Sequence, residues 1–432
     1  MPRRLVGTSA LLASLAVLPQ AAHAARVDYT LDAGVENNDN VTLAASDPIE
    51  QSYLRGGLGF SVTEVNSLLD VQLDGRIEYR NYEDQIFGDT VDGTLNGRVN
   101  WIAIPRRLFF TVEDSLTTQS VNALAPNAPG NRQQVNVFSA GPTLLINWSG
   151  SLQGQAELRY VNSDAEITEE FNSQRLTAAL RTVKELSPTR RVSVNLQGQG
   201  VDFDNDVVSR DYRRYDLYAR YSQVLARFEL GADAGYSRID YSDDASRSEP
   251  LLRLDATWRP TERSSLSLLA ATQFSDTATD ALESIQSDAT MPDTVVTGDA
   301  VVNASPYEVR TFDLGYTFTG VRASFSATPF YEERDYVDSD TFDQNSRGLR
   351  ADMSWLVRPQ LRLSIYGSGE ELRYTQLGRQ DDTRRIGSRL EYTWTRHWSA
   401  ALLAERYVRT STDASQSASQ NIVYLSISYS NR

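Results

Sequence analysis

Cysteine is absent from this 432-residue chain, and histidine occurs only twice. The lack of cysteine excludes disulfide bonds and thiolate metal sites. After the first 24 residues the only histidine is His397, which lies in a short turn between Trp394 and Trp398. A Ser-His hydrolase or a His-based protease would need its histidine among lumen or outer-loop residues. The sequence therefore predicts no enzyme activity, no cofactor and no metal site.

Long apolar runs are also absent, and so is an excess of positive charge. No stretch of the chain approaches the roughly 18 consecutive apolar residues of a membrane-spanning helix. Aspartate and glutamate number 57 against 42 lysines and arginines, which gives a net charge of −15 at pH 7. A nucleic-acid backbone repels such a chain. These absences exclude a helical membrane protein and argue against nucleic acid as a partner.

The first 24 residues have the composition of an export signal. Arg3 and Arg4 precede a short apolar run that ends at Leu18, and Ala22-His23-Ala24 forms a small-x-small cleavage site. We therefore expect residues 1–24 to be a cleavable secretory signal peptide. Residues 25–432 are then expected to form a single outer-membrane β-barrel.

What the chain does contain is a long alternation of apolar and polar residues. From Leu69 to Tyr79 every second residue is apolar or small, and the residues between them are polar or charged. A period of two is typical of a β-strand with two different faces. Each strand in the segment Ser67–Ala103 runs about eleven residues, which is the length that a tilted strand needs to cross a bilayer. Similar runs follow throughout the chain.

These runs predict an all-β fold class. We expect a transmembrane antiparallel β-barrel of about 20 strands, within a range of roughly 16 to 22, with no plug or periplasmic domain. Short connections alternate with long ones, as periplasmic turns and external loops do in outer-membrane barrels. The longest connection, Ser275–Ser305, is the only one able to fold inward as a constriction. It carries six acidic residues and no lysine or arginine, which predicts an acidic outer mouth.

The tryptophans support the same topology, because each of the six lies beside a short connection. Amphipathic indoles prefer the level of the lipid headgroups. We therefore predict one aromatic girdle on the periplasmic side. Its members are Trp101, Trp148, Trp258, Trp355, Trp394 and Trp398.

The polar face of the strands carries both acids and arginines. One interpretation is cross-strand ion pairing that satisfies a polar wall. The other is a solute path in which a row of acidic side chains faces a row of basic side chains across the lumen. Both remain open from the sequence. The candidate lumen-facing residues are Asp70, Asp74, Arg76, Glu78, Asp92, Arg98, Glu157, Arg159, Asp255, Asp313, Arg350, Asp352, Arg389 and Glu391.

The segment Gly34-Val35-Glu36-Asn37-Asn38-Asp39-Asn40-Val41 lies at the end of the first predicted strand. It resembles the start of an outer-membrane barrel family called beta-barrel porin 2. Members of that family often occur with exopolysaccharide or PEP-CTERM/exosortase systems, so the resemblance implies export or surface display of polysaccharide. The segment from Tyr424 to Tyr429 resembles a barrel insertion signal, although Ser430-Asn431-Arg432 follows where an aromatic terminus is usual.

We therefore expect a passive pore or export channel in the outer membrane of a Gram-negative cell, linked to exopolysaccharide export or surface polysaccharide. One alternative is a closed structural or anchoring barrel whose loops bind surface polymer or a partner. Another is an outer-membrane hydrolase, which the missing histidine and cysteine chemistry disfavours. The expected partners are outer-membrane lipid and lipopolysaccharide, the barrel-assembly machinery, and polysaccharide or polysaccharide-export components.

Overall fold

The structure is a computed structural model that describes residues 25–82, 87–122, 124–205, 208–242, 245–286 and 304–432. The expected signal peptide, residues 1–24, lies outside the described residues. Within the described ranges the chain forms twenty β-strands and one α-helix of more than one turn.

The strands follow one another along the chain, and the helix, α1 (Thr277–Gln286), lies between the thirteenth and fourteenth strands. Their bounds are β1 (Arg26–Asn38), β2 (Gln51–Val65), β3 (Leu69–Tyr82), β4 (Thr90–Ile104), β5 (Leu108–Ser120), β6 (Arg132–Ser149), β7 (Leu152–Ala165), β8 (Ser173–Ser187), β9 (Arg190–Phe203), β10 (Tyr212–Val224), β11 (Phe228–Tyr241), β12 (Ser246–Thr261), β13 (Ser264–Ser275), β14 (Tyr307–Thr319), β15 (Ala323–Tyr336), β16 (Gln344–Arg358), β17 (Leu361–Tyr374), β18 (Arg379–Thr393), β19 (Trp398–Ser411) and β20 (Ala418–Ser430).

Each strand pairs antiparallel with the next one along the chain, and β1 also pairs with β20. The sheet therefore closes on itself and leaves no free edge, which removes the unpaired backbone groups that a membrane would not tolerate. The prediction of an all-β antiparallel barrel of about twenty strands is confirmed. Among the described residues, no helix is long and apolar enough to cross a membrane.

Alternation along the strands separates an apolar outer face from a polar inner face. On β3, Ile77 and Tyr79 are 47% and 43% exposed, whereas Glu78 between them is only 5% exposed. The exposed large apolar side chains of the other strands follow the same period. Most of the buried side chains of the strands therefore lie on the inner face of the barrel.

Two aromatic bands border the apolar outer face. The six tryptophans are all exposed and lie at the end of the short connections. Exposed tyrosines occur toward the end of the long connections, on β3, β7, β10, β11 and β15: Tyr79, Tyr160, Tyr215, Tyr236 and Tyr331. Tyr79 pairs with Val91 on β4, and Trp101 lies ten residues after Val91 on the same strand. That separation spans about 25 Å along the membrane normal at a strand tilt of about 40°, the height of an apolar band in such barrels.

The helix α1 lies inside the lumen. Ala278 packs in a buried cluster with Val135 and Val137 of β6 and Val161 of β7, and Leu282 packs against the same cluster. The longest connection, which was expected to be able to fold inward, thus does so at its start, where it forms a helix. Residues 287–303 lie outside the described part, so the expected absence of a plug stays a prediction.

Candidate functional site

The lumen differs between its two ends. Toward the short connections, inward side chains such as Asp70, Asp74 and Arg98 are exposed, so this end of the barrel is open and wet. Toward the long connections the inward residues are mostly buried and α1 occupies one side. On the other side lies a cavity of about 450 Å³, lined mainly by β1 to β3 and β15 to β20. Cavities of this size hold molecules as large as a typical drug.

Arg55 on β2 connects two carboxylates at the wall of this cavity. Its guanidinium lies 3.0 Å from Glu36 on β1 and 2.5 Å from Glu78 on β3. Arg80 in turn lies 2.5 Å from Glu78 and 2.6 Å from Asp92 on β4. Because each charge has an opposite partner, burial of this chain of residues is compensated by short charge-assisted hydrogen bonds.

Similar ion pairs occur elsewhere around the lumen. Asp381 on β18 accepts from Arg379 at 2.9 Å and from Arg409 on β19 at 2.8 Å. Arg220 on β10 lies 3.1 Å from Asp233 and 2.8 Å from Asp255. The cross-strand partners that the sequence could not specify are thus set by the register of neighbouring strands.

A buried ion pair anchors the helix α1 to the barrel wall. Asp276, directly before the helix, lies 2.5 Å from the guanidinium of Arg175 on β8, and both side chains are only 2% exposed. Asp276 also accepts from the backbone N–H groups of Ala278 and Thr279 at 3.0 Å and 3.1 Å, so it caps the first turn.

The two acids at the start of α1 have pKa values shifted in opposite directions. Burial alone would raise the pKa of Asp276, but Arg175 and the N–H of Thr279 outweigh burial and hold it below its usual value. Burial raises the pKa of Asp280, which accepts from the hydroxyls of Tyr307 and Ser275. Asp276 is buried and Asp280 is half-buried, so two of the six acids expected at the outer mouth lie inside the barrel instead.

The candidate lumen residues from the sequence all lie on the inward parity of their strands, but they do not form one site. The register places Arg76 between Asp32 and Glu78, at 2.9 Å and 3.4 Å, beside the Arg80–Asp92 pair. Others lie apart around the barrel. These are Arg98 with Glu113, Arg159 with Glu157, Asp255 with Arg220, Arg350 over the ring of Phe330, Asp352 with Ser326, Glu391 opposite Arg362, Arg389 opposite Ser364, Asp313 opposite Phe330, and Asp70 and Asp74 in the open end. Their role in permeation stays a prediction.

The segment that carries the family resemblance closes the barrel. Asn40 is 3% exposed, and its side-chain amide donates to the carbonyls of Ala44 and Ser419. Asp39 accepts from the backbone N–H of Asn421 at 2.7 Å. Gly34 lies where β20 approaches so closely that a Cβ would meet the carbonyl oxygen of Leu425 at 2.3 Å. Asn40, Asp39 and Gly34 therefore join the first strand to the last. Within the segment Gly34–Val41, only Glu36 also takes part in the lumen ion pairs.

A ring of buried aromatic side chains at the long-connection end was missed from the sequence. These residues lie at or near the strand ends that border long connections. The ring centroids of Tyr53 and Tyr82 are 4.8 Å apart in a tilted arrangement, and those of Tyr307 and Tyr336 are 5.2 Å apart in an edge-to-face arrangement. The other members are Phe203, Tyr212, Tyr241 and Tyr374. An aromatic residue at an inward position of the strand end beside a long connection is the signal that could have found them. Since they are buried against one another, they stiffen this end of the barrel.

No group of three or more metal-ligating side chains suited to a metal ion occurs among the described residues. His397 lies at the short-turn end, where its Nδ1 is 2.8 Å from the carbonyl oxygen of Ser430 and its ring stacks on Tyr429. It ties the last strand to the turn before β19, far from the cavity at the other end.

The solved structures that this chain resembles are receptors and transporters. A mutant of the ferric enterobactin receptor from Pseudomonas aeruginosa is 10% identical, with a TM-score of 0.51 over 94% of this chain and 81% of that chain. The ferric citrate transporter FecA is 11% identical, with a TM-score of 0.49 over 94% of this chain and 79% of that chain. The siderophore receptor PirA from Pseudomonas aeruginosa is also 11% identical, with a TM-score of 0.45 over 95% of this chain and 81% of that chain. Both TM-scores are below 0.5. No family model and no curated protein matches the chain.

The likeness to the ferric enterobactin receptor concerns the fold alone. It agrees with the closed antiparallel strand order described above. This fold, together with the apolar outer face and the two aromatic bands of this chain, defines the class of protein: an outer-membrane-type β-barrel of twenty antiparallel strands.

Proposed function

We propose that the chain is a passive pore or export channel of the Gram-negative outer membrane. The observation that carries this proposal is the lumen, whose inward side chains such as Asp70, Asp74 and Arg98 are exposed toward the short connections and which holds a cavity of about 450 Å³ toward the long connections. Its mixed charges suit polar solutes, because an ion-paired wall offers hydrogen-bond donors and acceptors without one dominant sign. The helix narrows this route and sets its size limit.

The proposed cargo is a saccharide, by way of exopolysaccharide export or surface polysaccharide. Support for this cargo is the resemblance of the Gly34–Val41 segment to beta-barrel porin 2, and membership of that family is itself part of the proposal. The size of the cavity and its hydroxyl-rich and charged lining fit a hydrated sugar chain passing one or two rings at a time.

A closed anchoring barrel is the second candidate. The buried Arg175–Asp276 pair and the packed aromatic residues favour it, because they hold the outer end together firmly. In that case the external loops would bind surface polymer or a partner and the lumen would carry nothing.

Swelling of liposomes that contain the full chain distinguishes the two candidates. A pore lets the liposomes swell in neutral sugars at a rate that falls from monosaccharide to trisaccharide, since the cavity beside α1 limits passage. Liposomes without protein are the control. Absence of swelling in every sugar would favour the anchoring barrel.

A further inference from the structure

The outer face of the barrel carries arginines on one flank, at the border of the apolar band. On β16, β17, β18 and β19 the outward positions near the long connections include Arg347, Arg373, Arg384 and Arg406. At similar outward positions β7, β8 and β9 carry Asn162, Gln174 and Asp202. A chain with a net charge of −15 thus places four outward arginines on four successive strands of this flank.

These arginines lie at the depth of lipid headgroups. On β18, Arg384 is ten residues from Trp394 of the opposite aromatic girdle, which is about 25 Å along the membrane normal at a tilt of about 40°. Directly below it on the same face is Ile386, which is 61% exposed. The guanidiniums therefore lie where acyl chains give way to headgroups.

Two glycines leave a groove beneath them. Gly369 on β17 lies between its cross-strand partners Leu349 and Arg384, and a Cβ added to it would meet no atom within 4 Å. Gly367, two residues further along the same outer face, lies between Ala351 and Ile386. The outer surface of β17 is thus bare over two successive outward positions, with apolar side chains on its borders.

The arginines above the groove are held in place but not neutralised. Glu371 accepts from Arg347 at 2.9 Å and from Arg373 at 2.6 Å, which orients both guanidiniums. Arg347 nevertheless remains 62% exposed at its side chain. Among the described residues no carboxylate forms an ion pair with Arg384 or Arg406, and Arg406 has only a long hydrogen bond to Asn421. With Glu371 and Asp382 as the nearby acids, four positive charges face two negative ones.

We propose that this surface, formed by Arg347, Gly367, Gly369 and Arg384, binds a phosphorylated lipid of the outer leaflet. An acyl chain lies in the groove over the two glycines, and the headgroup phosphate accepts from Arg347 and Arg384. Arginine suits this task because its planar fork donates two hydrogen bonds to one phosphate. The inference rests on the proposed outer-membrane location but does not depend on whether the lumen conducts.

Native mass spectrometry of the full chain in detergent tests the proposal. The delipidated protein is titrated with diphosphorylated lipid A and the bound fraction is counted. Basic residues near an anionic lipid surface contribute about 1 kcal/mol each, so the double variant Arg347→Gln/Arg384→Gln should bind roughly thirtyfold more weakly. The matched control is Arg238→Gln, which removes an exposed outward arginine of β11 from another flank and should leave binding unchanged.

A second variant tests the groove without changing the charge. Gly369→Leu fills open space on the outer face, so it should fold normally and still weaken binding. Wild type should bind lipid A without phosphates weakly. Its affinity for that lipid should be about the same as the affinity of the double variant for intact lipid A.

Equal binding by wild type and the double variant, or equal losses in the Arg238→Gln control, would overturn the site. So would unchanged binding by Gly369→Leu. Displacement of lipid A by millimolar inorganic phosphate would show that free phosphate, and not a lipid, is the ligand. None of these results depends on liposome swelling, so failure of the lipid site and failure of the pore are separable.

Discussion

At the scale of single residues, neighbouring positions on one strand meet opposite environments. Leu254 on β12 points outward and is partly exposed, whereas Asp255 points inward and accepts from Arg220. Leu254→Arg places a charge in the hydrocarbon and should lower the free energy of unfolding by roughly 2–4 kcal/mol near the midplane. Asp255→Asn keeps an oxygen acceptor inside the wet lumen and should cost much less.

Urea unfolding in lipid vesicles measures both variants. A larger loss for Asp255→Asn than for Leu254→Arg would mean that the register of β12 is shifted by one residue, because such a shift exchanges the two faces.

Asn40 provides a second prediction at this scale. Its buried amide bridges the loop after β1 to the backbone of β20. Asn40→Ala leaves the carbonyl of Ser419 and the N–H of Ala44 without this partner, which should cost about 1–3 kcal/mol of unfolding free energy. Asn37→Ala, on the exposed face of the same strand end, is the control and should be nearly neutral. Equal effects in the two variants would remove the closing role of Asn40.

At the scale of elements, strands were easier to predict than the helix. Alternation with a period of two depends only on which face meets lipid, so β3 and β4 could be located from the sequence. The helix α1 is short and lies in a loop without strand pattern. Its signals were Asp276 as a capping residue and the spacing of Ala278, Ala281 and Leu282, which places them on one face. Its partner Arg175 is about a hundred residues away, and only the barrel register brings the two together.

The anchor of α1 predicts an effect of pH. Because the folded pKa of Asp276 is lowered, its contribution to holding the helix is present above the unfolded value and is lost as pH falls through the folded value. We expect single-channel conductance to rise as pH drops below about 4, the ordinary pKa of aspartate. Asp276→Asn should show the higher conductance already at neutral pH and lose the step.

Asp280 gives the control for that step. Its pKa is raised, so it takes up a proton before Asp276 on acidification and its loss of charge comes first. Asp280→Asn should therefore leave the step below pH 4 in place. A step that disappears in Asp280→Asn but persists in Asp276→Asn would contradict the assignment of the anchor.

At the scale of the whole molecule, the alternation of apolar and polar residues predicted the barrel and its approximate strand number. The positions of the tryptophans predicted one of its two aromatic bands. The partners within the lumen could not be predicted, because an arginine such as Arg55 has several acids within reach until the register is known. The longest connection was expected to be able to fold inward, but its helix and the contacts of that helix with β6, β7 and β8, which are distant in the chain, could not be predicted.

Planar-bilayer recording at neutral pH tests the central claim, that the lumen is a pore narrowed by α1. We compare the intact protein with a variant that lacks Ala281 to Val301 and so loses more than half of the helix. The account predicts measurable conductance for the intact protein and a clear increase for the deletion variant, with matched protein amounts and an empty bilayer as controls. Silence of both proteins would contradict the pore and leave the anchoring barrel, whereas equal conductance in both would show that the helix does not narrow the route.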